Sequence, residues 1–169
     1  NGRPSAETTT ARLASGLNAG EHEFLLYLPL YNGVSSVEIG LPKGSTLKKA
    51  DPRPAGKQTP IVFYGTSITQ GGCASRPGMV HTAILGRMFD RPVINRVFSG
   101  SGTLDPDIAV LMGELDAAVF VLDCLPNMTA TQVAERTEPF VKAVRKARPT
   151  TPILLVEDHA ESRAGLAYL

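Results

Sequence analysis

The chain has 169 residues, 43% of them hydrophobic and 20% charged, with a formal net charge of +1. That length accommodates one domain and part of another. The balanced, scattered charge provides no field for nucleic acid or a membrane surface, and no apolar run approaches the roughly 20 residues of a membrane span, so neither is expected as a partner. Two cysteines, Cys73 and Cys124, have neither zinc-ligand spacing nor the count of a disulfide framework. No metal and no cofactor is expected. The first residue is Asn1 rather than Met, which reads as a processed or trimmed N-terminus.

In chain order, residues 1–42 differ in character from the rest of the chain. Glu23 to Leu28 is rich in Phe, Leu and Tyr, Asn32-Gly33 is a turn dipeptide, and Val34 to Leu41 alternates up to Pro42. The pattern predicts a β-hairpin or meander. Two or three strands are not stable alone, so they must pack on something or close a larger β domain. Residues 43–59 read as a linker, a stretch that through Pro60 carries three prolines, two glycines and four lysines.

From residue 60 to 169 the pattern is α/β. Ile61–Tyr64 is a short apolar run ending in Gly65-Thr66-Ser67, the signature of a buried strand. Pro77 to Phe89 reads as a helix with Val80, Ile84, Leu85 and Met88 inward. Pro92 to Val97 is a second strand, followed by the turn Ser99–Gly102. Asp105-Pro106 opens a helix to Glu114, with Pro106 in the tolerated first position. Ala117 to Leu122 is a third strand. A helix capped by Thr129 or Thr131 runs to about Ala147, turning Val133, Phe140, Val141 and Val144 inward; Pro139 should kink or split it. Pro152 to Val156 is a fourth strand. Strands alternating with helices predict a parallel sheet with right-handed crossovers.

In such a sheet the strand ends meet at one carboxyl edge, where ligands bind. A serine at a sharp strand-to-helix turn is exposed there, so Ser67 is a candidate nucleophile for attack on an ester; a polar turn or a phosphate-holding loop is the plainer alternative. The spacing to Gly71 does not match the Gly-x-Ser-x-Gly elbow. Gly100, after the second strand, offers an unobstructed backbone N–H, and Asn127, after the third, a side-chain NH2. Both suit an oxyanion hole, although turn and cap roles are common for each.

The segments Gly65-Thr66-Ser67-Ile68-Thr69-Gln70-Gly71, Asn95 to Gly100, and Asn127 resemble the first three motif blocks of the SGNH (GDSL-type) hydrolases, over about residues 60–157. The strings Gly71 to Gly78 and Leu122 to Met128 resemble a bacterial subgroup with an N-terminal β-sandwich-like domain, whose end residues 3–42 resemble. The resemblance implies a flavodoxin-like three-layer α/β/α sandwich. It implies Ser67 as nucleophile, with the Ser67 N–H, the Gly100 N–H and the Asn127 side chain as oxyanion hole. It further implies a serine esterase cleaving small acyl groups, acetyl above all, from a small-molecule or carbohydrate ester. Two departures stand out. Thr66 occupies the family's Asp position, and no Asp-x-x-His motif occurs in the sequence. The family pattern places that motif beyond Leu169, so the chain reads as truncated at both ends and, over these 169 residues alone, as nearly inactive.

Three histidines are present. His22 and His81 read as surface residues; His159, after Asp158 at the end of the fourth strand, is a weak candidate base. Asp123 is placed near the site, and Arg76 reads as a surface residue at a helix start. Cys73 and Cys124 are expected beside the site, either as a disulfide clamping two loops or as two buried thiols; a bond would favour an exported, secreted or periplasmic protein. Two rival functions remain: a non-catalytic sugar-binding relative, and a flavodoxin-like phosphate or nucleotide binder, the latter without a Gly-x-Gly-x-x-Gly or Gly-Lys-Ser/Thr motif.

Overall fold

Ile61–Gly65 (β1) is buried along its whole length and forms the middle of the sheet in a computed structural model that describes residues 6–158. β1 pairs in parallel with Val93–Val97 (β2) on one side and Val119–Asp123 (β3) on the other. β3 in turn pairs in parallel with Ile153–Leu155 (β4). The order β2-β1-β3-β4 is that of the flavodoxin-like doubly wound sheet. The near-continuous apolar reading of β1 follows from this position, because a central parallel strand is covered on both faces.

Alternate residues of the strands build the two faces. Val62, Tyr64, Phe120 and Leu122 pack with Ala109 and Met112 of Pro106–Gly113 (α3) and with Phe140 and Val144 of Ala130–Ala147 (α4). Tyr64 and Phe140 stack with ring centroids 5.5 Å apart. On the opposite face Ile61, Phe63 and Val121 pack with Leu85 of His81–Met88 (α2) and with Val93. Helices on both faces make the three layers.

Several local expectations change. The stretch from Pro77 splits into a 3-10 turn at Pro77–Met79 and α2 proper. Met88 points outward; the buried positions of α2 are Thr82, Ala83 and Gly86. A Cβ on Gly86 would stand 2.8 Å from Val93 Cγ2, so small residues let this helix lie close on the sheet. α4 runs unbroken through Pro139, held by its buried face of Val133, Phe140 and Val144. Thr129 caps it in a reciprocal capping box with Gln132.

The expected hairpin at 21–41 does not form: residues 6–59 contain no strand or helix. Phe24, Leu25, Val37 and Ile39 are exposed, so no sheet face is buried to hold a register. This segment is anchored instead by side chains. Arg87 Nη1 donates to Tyr27 Oη at 2.9 Å, with the guanidinium 5.4 Å from the Tyr27 ring centre. Arg91 Nη1 donates to Thr59 O, and Lys57 Nζ to Phe89 O.

Candidate active site

The carboxyl ends of β1, β2 and β3 lie side by side, because Gly65 is in register with both Val97 and Asp123. The turns after these three strands therefore leave the sheet at one edge. The first carries Ser67, the second Gly100 and the third Asn127.

Ser67 is the first residue of a single helical turn, Ser67–Gln70 (α1), directly after the strand. Thr66 is extended and fully buried, and its hydroxyl accepts from the Ile68 N–H at 3.3 Å, capping the turn. Gly71, with φ of +100°, ends it in the left-handed conformation that favours glycine. Sharp entry and exit hold Ser67 half-exposed. Its hydroxyl and its N–H make no hydrogen bond among the described residues.

A buried polar network braces the turn from beneath. Thr69 Oγ1 donates to Asp123 Oδ2 at 2.5 Å, tying α1 to the end of β3. Asn95 Nδ2, on β2, donates to Thr69 O at 3.0 Å and lies 3.4 Å from Thr82 Oγ1. His81 Nε2 is 4.0 Å from the same Asp123 oxygen, and its ring meets Phe63 edge-on. Asp123 thus sits under the turn that carries Ser67. His81, read as a surface group, is exposed, with its ring edge toward this carboxylate. Sequence reasoning misses Thr69; its position two residues after Ser67 is the available signal, but its partner is 54 residues away.

The second turn is pinned to the first. Phe98 N–H donates to Gly65 O at 3.1 Å, and Ser101 and Gly102 N–H both donate to Phe98 O at 2.9 Å. A Cβ on Gly102 would fall 2.2 Å from Gly65 O, so only glycine permits this approach. Gly100 has φ of +75° and open space around it, and its N–H donates to no backbone carbonyl among the described residues. Farther along, Arg136 Nη1 on α4 donates to Thr103 O, Thr103 Oγ1 and Asp105 Oδ1 at 3.0–3.1 Å, fastening the exit of the loop.

The third turn is a 3-10 turn, Leu125–Asn127. The Asn127 N–H donates to Cys124 O at 3.0 Å. The Asn127 side-chain Nδ2 is buried and has no hydrogen-bond partner among the described residues. Most buried donors are paired, so an unpaired one at this edge is notable.

The cysteines behave differently from either expectation. Both are free; Cys73 is exposed, while Cys124 is buried with its thiol directed at Tyr64 O, 3.6 Å away. No disulfide clamps the loops, because Cys124 turns into the core beneath the sheet edge and Cys73 lies in the solvent-facing turn after α1. Burial pushes the Cys124 thiol up to about 12 and also raises the Tyr64 hydroxyl to about 12. Arg76 is exposed. His22 is distant in the N-terminal segment, its ring 2.8 Å from Asn18 O. His159 lies outside the described residues.

Residues 58–168 match the model of the GDSL-like lipase/acylhydrolase family, and residues 1–47 match that of the N-terminus of SGNH-hydrolase-type esterases. No curated protein matches. Among solved structures, a candidate GDSL-like lipase from Bacteroides ovatus is 39% identical with a TM-score of 0.71, over 78% of this chain and 38% of that one. The salicylyl-acyltransferase SsfX3 from a tetracycline biosynthetic pathway shares the fold, at 24% identity and a TM-score of 0.56, over 76% of this chain and 39% of that one. The chain thus spans less than two-fifths of the length of these solved relatives. With its family model matched over residues 58–168, the chain belongs to the GDSL-like lipase/acylhydrolase family.

Proposed function

We propose that the protein is a serine esterase acting through an acyl-serine intermediate on Ser67. The observation that carries this reading is the unpaired, buried Asn127 Nδ2 at the sheet edge where Ser67 and Gly100 also emerge. In this mechanism Ser67 Oγ attacks the ester carbonyl carbon. The carbonyl oxygen gains negative charge and is held by the Ser67 N–H, the Gly100 N–H and Asn127 Nδ2. Such donors act without reorganising, which is why one of them contributes on the order of 100- to 1000-fold in rate. The tetrahedral intermediate expels the alcohol, and water then cleaves the acyl-serine. A general base takes the Ser67 proton and gives it to the departing alcohol oxygen, then takes a proton from the attacking water and returns it to Ser67 Oγ as the acyl group leaves; that base is a group other than His22, whose ring lies on Asn18 O, and His81, whose ring lies near Asp123.

The substrate class we favour is a small acyl ester, acetyl above all, on a carbohydrate. Its support is the family likeness and the preceding N-terminal module rather than any residue at the site. An exported location, secreted or periplasmic, now rests on that substrate alone, since the thiols are apart. The test is a fluorophosphonate probe on the full-length protein, with Ser67→Ala as control. Covalent labelling lost in Ser67→Ala, together with release of acetate from acetylated sugars, supports the reading; an unlabelled wild-type protein refutes it.

A further inference from the structure

We infer that Tyr31, in the N-terminal segment, is a positioning residue for the nucleophile turn. The inference rests on the esterase reading of Ser67. Three donors converge on the Ser67 carbonyl: the Gly71 N–H at 3.1 Å, the Gly72 N–H at 2.9 Å and the Tyr31 hydroxyl at 3.1 Å. The first two belong to the turn itself. The third comes from 36 residues earlier in the chain.

The adjoining residue reinforces the contact. Gln70 Nε2 donates to Leu30 O at 2.9 Å, so residues 30 and 31 hold both ends of α1. Leu30 Cδ1 lies so near Gly71 that a Cβ there would be 2.6 Å away, and a Cβ on Gly72 would be 3.1 Å from Tyr31 Oη. The two glycines of the turn thus leave room for this segment as well as for the bend. The carbonyl that Tyr31 holds belongs to the nucleophilic residue, so the bond restrains the Ser67 backbone and with it the direction of Oγ. A nucleophile held near its attack geometry reacts faster, and small misplacements are costly. Tyr31 touches no reacting atom; it acts through the turn. The N-terminal segment is therefore part of the active-site scaffold rather than a tether.

Tyr31→Phe in the full-length protein keeps the ring and removes only the donor. Its fluorophosphonate time course should show an inactivation rate constant lowered about three- to tenfold, the range of one neutral hydrogen bond, with an unchanged half-saturating probe concentration. Amide hydrogen exchange at Gly71 and Gly72 should quicken. An unchanged rate constant overturns the inference, even if the unfolding temperature drops, because that pattern belongs to a residue that only stabilises. Should wild-type Ser67 fail to react, the esterase reading falls, and the exchange rates still decide on Tyr31: unaltered exchange in Tyr31→Phe refutes a role in fixing the turn.

Discussion

Gly102→Ala provides the sharpest test of how the turns that carry Ser67 and Gly100 are coupled. The new methyl would lie 2.2 Å from Gly65 O, against a floor of 3.0 Å for real Cβ contacts. The obstacle is backbone, so no side chain can swing aside, and the two segments must part by most of an ångström. Gly65 O also accepts the Phe98 N–H at 3.1 Å, and that bond lengthens as they part. Overpacking of this kind costs about 1–3 kcal/mol. Each 1 kcal/mol lowers the unfolding temperature by about 2–8 °C for domains in this size range. Gly100 lies two residues away, so its N–H shifts with the loop, and a displacement near 1 Å can cost on the order of 100-fold in rate. The assay pairs a thermal melt with the fluorophosphonate labelling rate of Ser67. Gly40→Ala is the internal control: its methyl meets nothing within 4 Å and its φ lies outside the left-handed region, so it should label and melt as wild type. Gly102→Ala should label far more slowly than Gly40→Ala. Wild-type labelling and melting in Gly102→Ala would show that the loops do not approach as described.

Asn127→Ala removes a side-chain donor that makes no hydrogen bond among the described residues, so its unfolding temperature should stay close to wild type while esterase turnover falls on the order of 100- to 1000-fold; a large loss of stability at full activity would make Asn127 structural. Iodoacetamide at neutral pH should modify Cys73 and spare Cys124 until the protein unfolds, as mass spectrometry of the peptides would show; modification of both in the native state would contradict the burial of Cys124. The same burial predicts an alkaline weakness. Cys124 and Tyr64 titrate near 12 in the fold but at 9.0 and 10.0 when free, so the unfolded chain releases protons first. Stability should be insensitive to these groups below about pH 9 and fall between 9 and 12, by about 1.4 kcal/mol per pH unit for each group in its window. Urea unfolding at pH 7 and pH 10 measures this, and equal midpoints would refute it.

Much of the site was legible because it depends on local patterns. The apolar run before Gly65 marks a covered strand, Asp105-Pro106 and Thr129 mark helix starts, and alternation of strands and helices implies a parallel sheet. Parallel strands put Ser67, Gly100 and Asn127 at one edge whatever the side chains do, so the topology alone predicted their grouping. The apolar content of residues 21–41 was read as strands for the same kind of reason, and there the reading failed. A strand is defined by its neighbour, and among the described residues that segment has none.

What only the tertiary structure decided is everything that needs two distant residues to meet. Which thiol turns inward, the carboxylate of Asp123 beneath Thr69, and the hydroxyl of Tyr31 on the serine carbonyl all join positions between 36 and 60 apart in the chain. Periodicity reports the face of an element and says nothing of its partner. The sequence by itself determined the four strands of the sheet and the edge at which the turn of Ser67 emerges; close approach in space selected the groups that hold that turn in place.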